Sequence, residues 1–352
     1  MKLFVCTFCS NLVYFENRTC ESCGNRLGYD SGSNKVHALE SAGSNWVAAG
    51  KSEAELRFCA NAEYDACNWL IPLDSHELLC ASCRHNRTIP DLTDAVNLSL
   101  WQKLEMAKHH LFYGLLRLRL PLETRQEKPE YGLAFDVLVD DPGGPGGIVQ
   151  TGHQNGVITL NMAEADDAIR EKRRTELGEP YRTLLGHFRH EIAHYYWDRL
   201  VRDNDRLSSF RTCFGDERQD YDQALKTYYA EGPPADWRGR FVSAYASAHP
   251  WEDFAETWAH FLHIVDTLEM AGSFGLQVNP LVTEDAAYSA EVDFDPYATG
   301  SINQLVRHWL PIAGAVNSIN RCMGQPDLYP FVLTSAVIRK LGFVHELICR
   351  VG

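Results

Sequence analysis

The stretch that decides the reading of this chain is "GHFRHEIAHYYWDRLV", residues 186–201. His190 and His194 stand four residues apart, with Glu191 directly after the first. On an α-helix, residues at i and i+4 lie one turn apart on the same face. The two imidazoles can therefore aim at one point about 2 Å away, where a metal would sit with a carboxylate beside it. An ordinary helix can carry the same spacing, so the decision rests on what the rest of the chain supplies.

Residues 242–266, "VSAYASAHPWEDFAETWAHFLHIVD", supply two more carboxylates four apart, Glu252 and Glu256. Phe254, Trp258, Phe261 and Leu262 recur at helical intervals around them, and Pro250 suits the first turn of a helix. Glu252 can close a three-ligand zinc set with His190 and His194. Glu256, one turn further on, can orient a ligand histidine by accepting from its other ring nitrogen. A solvated acidic face is the alternative, and the flanking aromatics argue instead for a buried wall.

Composition narrows the partners. The formal net charge is −14 and the pI about 5.4, so phosphate backbones and anionic membranes are repelled, and neither nucleic acid nor a membrane is an expected partner. No run of 18 or more apolar residues is present to span a bilayer. The start, "MKLFVCTFCSNLVYF", lacks a small-residue cleavage site, so no signal peptide is expected and the expected location is cytoplasmic.

Eight of the eleven cysteines lie within the first 83 residues. Cys6, Cys9, Cys20 and Cys23 form two Cys-x-x-Cys turns, and two such turns facing each other make a tetrahedral four-sulfur cage. Short strands in "LFVC" and "LVYF" complete the outline of a zinc ribbon. Cys59, Cys67, Cys80 and Cys83 make a second set with only one such turn, "CASC", and read as a second four-cysteine zinc module. Modules this small cannot bury enough apolar area to fold alone, so metal supplies folding free energy. Residues 1–90 carry eight Lys/Arg and ten Asp/Glu, which gives no basic face for nucleic acid and favours structural or protein-recognition duty.

The expected organisation is a zinc ribbon over 1–30, a linker over 31–56, a second four-cysteine module over 57–95 and a catalytic domain over 96–352. Residues 28–56 are rich in Gly, Ser and Ala. Apolar residues from Leu98 to Leu115 recur at helical spacing and predict a long helix over about 97–118, stopped by Pro121. Strands are expected in "YGLAFDVLVD" and "GVITLNM", around the Gly/Pro-rich "DPGGPGG" and an Asn-Gly hairpin signal. From Glu164 onward nearly everything reads helical. The fold class is therefore α+β, a mostly helical domain with a small antiparallel sheet.

"HEIAH" followed at this distance by a Glu-x-x-x-Glu helix resembles the gluzincin class of zinc metallopeptidases, which implies a thermolysin-like domain. "YASAHPWEDFAE" is similar to the lethal-factor type, in which a tyrosine seven residues before the ligand glutamate contacts the active site; Tyr245 holds that place here. The whole chain resembles the bacterial zinc-binding metallopeptidases with an N-terminal zinc ribbon. The shared blocks include "CNWLIP", "NRTIPDL", "EADDAIRE", "EPYRTLLGHFRHEIAHYYWDRL", "FGDERQDY", "GPPADW" and "MGQPDLYPFVL".

The expected cofactors are one catalytic and two structural Zn²⁺ ions. Zinc on His190, His194 and Glu252 would lower the pKa of its water, and Glu191 would act as general base. Tyr245, or alternatively His249, would donate to the oxyanion. His187 and His249 are possible substrate contacts; His260 and His263 could contact the site or face solvent, Asp198 lies one turn after His194, and Asp216 and Glu217 are candidates for supporting the site, with a charged helix surface explaining these five equally well. "GVITLN" is expected as the sheet edge on which an extended peptide adds. The substrate is expected to be a peptide or protein, and the zinc ribbon could engage a protein partner. A scaffold protein with a structural third metal is the competing reading, against which the intact Glu191 argues.

Overall fold

Two Cys-x-x-Cys turns begin the chain, each closed the same way. Cys6 N–H donates to Asn11 O and Cys20 N–H to Asn25 O, and the residue after each second cysteine, Ser10 and Gly24, takes a positive φ. β1 (Phe4–Val5) and β2 (Leu12–Val13) flank the first turn and pair antiparallel. The structure is a computed structural model, and it describes residues 1–350 except 44, 50–54, 142, 144–146 and 177.

Strands β3 (Arg26–Asp30), β4 (Lys35–Ala42), β5 (Asn45–Ala48), β6 (Glu55–Phe58) and β7 (Trp69–Pro72) close into a five-stranded barrel. This corrects the expected linker over 31–56, although residues 44 and 50–54 of that stretch lie outside the described residues. Leu39, Ala48, Leu56 and Leu70 make the barrel core, with Trp46 and Phe58 packed against it. The Ala, Ser and Gly content hides these strands because only scattered apolar residues point inward. Gly28 is required where it stands, since a Cβ there would lie 2.5 Å from Leu70.

Beyond the barrel come β8 (Asn86–Thr88) and the long helix α1 (Ala95–Arg117), close to the predicted span. Trp101, Leu104, Leu111, Phe112 and Leu115 form its buried stripe. β9 (Ala134–Leu138), β10 (Gly152–Gln154) and β11 (Val157–Asn161) join β8 in a sheet of order β10-β11-β9-β8. Asn155 and Gly156, both at positive φ, turn the β10–β11 hairpin. The sheet is mixed rather than antiparallel, because β9 runs parallel to both neighbours. α1 is the crossover that makes β8 and β9 parallel. β11 lies between β10 and β9, so "GVITLN" is not an edge; β10 is. Four residues of the "DPGGPGG" loop lie outside the described residues.

α2 (Asp167–Glu176) ends this part of the chain. Then follow α3 (Leu184–Leu200), α4 (Leu207–Phe214), α5 (Tyr221–Glu231), α6 (Trp237–Arg240) and α7 (Pro250–Ser273). A short hairpin of β12 (Gln277–Val278) and β13 (Ala290–Glu291), then α8 (Ile302–Cys322) and α9 (Ser335–Cys349), complete the chain. Two compact units result. One holds Met1–Leu116, Leu122–Gly178 and Arg182–Leu185; the other holds Arg117–Pro121, Glu179–Tyr181 and Gly186–Gly352. The division expected at residue 96 differs from this, since α1, the mixed sheet and α2 group with the cysteine modules. Among the described residues, no helix is long and apolar enough to cross a membrane.

Candidate active site

The second unit is built around α3 and α7. α3 buries Phe188, Ile192, Tyr195, Tyr196 and Trp197; α7 buries Phe254, Trp258, Phe261 and Leu262. Tyr196 stacks on Trp258 with ring centroids 5.0 Å apart, and Trp197 meets Trp251 edge-on at 5.0 Å. These contacts bring the histidine face of α3 against the first turns of α7. Pro250 occupies the first turn of α7, and His249 caps it by accepting from Trp251 N–H at 3.1 Å.

His190, His194 and Glu252 converge, each with a ligand atom within 4.8 Å of the others. His190 Nε2 stands 2.9 Å from one Glu252 oxygen and His194 Nε2 3.8 Å from the other. The histidine side chains keep 13% exposure while Glu252 keeps 1%, so the carboxylate is the floor of a partly open site. A carboxylate this buried requires a cation or a full set of donors. Two imidazole nitrogens and one carboxylate oxygen facing one point suit zinc with an open position. The donor set therefore fits the metal.

The partners behind these residues fix their orientation. His190 Nδ1 lies 2.8 Å from Glu256 Oε1, and Ser243 Oγ donates to Glu256 Oε2 at 2.6 Å. A proton on Nδ1 directed to Glu256 leaves the Nε2 lone pair facing Glu252. Tyr221, the first residue of α5, donates to Glu252 Oε1 at 2.6 Å. Burial pushes the Glu252 carboxyl up, yet its hydrogen bond with His190 and the charges of both histidines hold it down at about 2. Glu191 is raised to about 7 by burial, with the Glu252 charge adding to the rise and His190 opposing it. A carboxyl near neutrality beside a metal position is suited to proton transfer. The Tyr245 ring lies 6.0 Å from the His190 ring. Burial, then the Glu252 charge, holds the Tyr245 hydroxyl protonated well beyond its ordinary range.

A family described as "Putative zinc-binding metallo-peptidase" matches residues 97–347. The chain belongs to this family. A zinc-ribbon domain family matches residues 3–94 ahead of it. Over its whole length the chain is 42% identical to uncharacterized proteins of Mycobacterium tuberculosis (strain H37Rv) and Mycobacterium bovis, of which it covers 96%. No solved structure matches it.

Both cysteine sets of this zinc-binding family member are assembled and free of disulfides. Cys6 and Cys23 sulfurs lie 3.8 Å apart and Cys9 and Cys20 sulfurs 3.6 Å. A tetrahedron with Zn–S bonds of about 2.3 Å has edges of about 3.8 Å. Cys67 and Cys80 repeat the 3.8 Å separation in the second set, whose four cysteines are all buried.

Several sequence-based expectations change. His249 is 3% exposed; one ring nitrogen caps α7 and the other lies 3.3 Å from Gln219 O, so it is spent on structure rather than on a substrate. Glu217 pairs with Arg211 and Asp216 with Arg218, so neither supports the metal position. Asp198 pairs with Arg202 at 2.6 Å. His260 and His263 are not a solvated face: His260 Nδ1 lies 2.8 Å from Tyr329 Oη, and Arg189 reaches His263 Nδ1 at 2.5 Å. His187 stays on α3, one turn before His190. Burial pushes the Cys213 thiol up to about 11, which makes it inert as a nucleophile. Tyr221 and Ser243 were not legible as site residues. Tyr221 closes the shared "FGDERQDY" block, and that is the one signal pointing to it.

Proposed function

We propose that this chain is a zinc-dependent peptidase or amide hydrolase of gluzincin type, with His190, His194 and Glu252 holding the catalytic zinc. The observation that carries the reading is the convergence of those three donors, with Glu191 next in sequence to a donor histidine and outside the donor set. A structural site has no use for such a group.

A zinc ion held there supplies a Lewis acid and an acidified water. Glu191 is the residue that would hold a proton between that water and a leaving amine, as general base and then general acid. Tyr245, kept protonated by its burial, donates to the oxyanion that develops at the scissile carbonyl. Glu256 and Ser243 hold the His190 ring in register, and Tyr221 holds Glu252. The substrate is a peptide or protein, and neither nucleic acid nor a membrane suits the acidic chain.

The test is hydrolysis of a quenched fluorescent peptide library by the wild type and by Glu191→Gln. Cleavage by the wild type, lost by about 10²-fold or more in a variant that keeps its metal, supports the reading. Equal cleavage by both proteins contradicts the role of Glu191. A metal-loaded wild type that cleaves no member favours the scaffold reading.

A further inference from the structure

The second cysteine site holds five donors rather than four. His109, on α1, is 2% exposed and turns its Nε2 toward the sulfurs. That nitrogen lies 3.4 Å from Cys67 Sγ, 3.5 Å from Cys83 Sγ and 4.0 Å from Cys80 Sγ. A neutral ring protonated at Nδ1 would present its Nε2 lone pair to the cysteines, which is how a metal-ligating histidine is oriented. Trp69, with its ring centroid 5.2 Å away, holds the imidazole in place from one side.

The distances discriminate between a neighbour and a ligand. Zn–S bonds of about 2.3 Å and Zn–N bonds of about 2.0–2.1 Å at tetrahedral angles put ligand sulfurs about 3.8 Å apart, and sulfur and nitrogen about 3.6 Å apart. The Cys67–Cys80 separation is 3.8 Å, and the three nitrogen–sulfur distances of 3.4, 3.5 and 4.0 Å bracket the second value. Cys67, Cys80, Cys83 and His109 are thus a complete four-donor set, sharing three thiolates with the four-cysteine set. Glu105 Oε2 is 3.5 Å from Cys83 Sγ, but its other oxygen is held by Lys108 at 2.5 Å and by Asn86 at 3.1 Å, so its charge is already met.

We propose that His109 is a reserve ligand of this site: a metal seated on Cys67, Cys80 and Cys83 takes its fourth donor from either Cys59 or His109, and it stays when Cys59 is lost. Replacing a thiolate by a neutral imidazole removes one negative charge from a pocket whose four cysteines are all buried, where charge is costly. The exchange is therefore tolerable on electrostatic as well as geometric grounds.

The experiment uses the full chain and counts zinc per molecule by mass spectrometry, with cobalt(II) absorption as a second readout. Cys59→Ala is expected to keep the wild-type count, and its cobalt spectrum to stay tetrahedral with weaker sulfur-to-metal charge transfer. Cys59→Ala/His109→Ala is expected to lose one ion. His109→Ala alone is expected to keep the full count with an unchanged cobalt spectrum, which separates lost ligation from lost packing. Loss of an ion from either single variant overturns the proposal, as does full retention by the double variant.

Discussion

Replacing Glu256 by Gln tests the proposed site through a residue outside its three-donor set. Glu256 Oε1 lies 2.8 Å from His190 Nδ1, and Oε2 accepts from Ser243 Oγ at 2.6 Å. Gln keeps the shape and one acceptor but removes the charge, and a charge-assisted hydrogen bond is roughly twice as strong as a neutral one. Removing such an outer partner of a ligating histidine costs about 10–100-fold in metal affinity. That range corresponds to about 1.4–2.7 kcal/mol. The assay is competition for zinc with a chromophoric chelator, reading the class of site that disappears in a His190→Ala/His194→Ala variant. Ser243→Ala, which removes one donor and leaves the carboxylate on His190, is expected to weaken the site by only about fivefold, from the loss of about 1 kcal/mol. A Glu256→Gln protein that binds zinc at this site within twofold of the wild type refutes the orienting role.

Tyr221→Phe deletes a 2.6 Å hydrogen bond to the buried Glu252 carboxylate. At about 1.5–3 kcal/mol for a bond to a charged group, zinc at that site is expected to bind about 10–100-fold more weakly, measured by the same chelator competition. Burial lowers His260 to about 4, partly opposed by Glu256. Its unfolded value is about 6.5, so the unfolded chain takes up the proton first as pH falls. The stability this group contributes is full above about pH 6.5 and is lost towards pH 4, amounting to about 2 kcal/mol at pH 5. Urea unfolding at pH 7.5 and pH 5 is expected to show a smaller acid loss in His260→Gln by that amount; equal losses count against the assignment. Trp258 is fully buried and stacked on Tyr196, and Trp258→Ala is expected to cost about 3–5 kcal/mol in the same unfolding assay.

The parts of this architecture that are local in sequence were readable from it. Cys6-x2-Cys9 and Cys20-x2-Cys23 each make one turn, His190 and His194 share one helix face, and Glu252 and Glu256 share another. Such patterns state their geometry within four residues. The barrel strands over 31–56 were not readable, because their buried positions are filled by Val36, Ala38, Leu39 and Ala48 among small polar residues, without a clean alternation. Their pairing depends on β7, which lies well beyond them in sequence. The parallel β8–β9 pair was likewise hidden, since α1 intervenes. Tyr221, Ser243 and His109 reach their sites only through tertiary packing: a tyrosine after a helix cap, a serine in a loop and one histidine of "KHH" carry no local mark of the carboxylate or sulfur they meet.

The central claim is that the helix of "HEIAH" holds a metal. Zinc content per chain, measured by mass spectrometry on the wild type and on a His190→Ala/His194→Ala variant, addresses it most directly. The donor groups predict three ions in the wild type and two in the variant. Equal zinc content in the two proteins would contradict the claim and leave α3 as a helix that carries two histidines for packing alone.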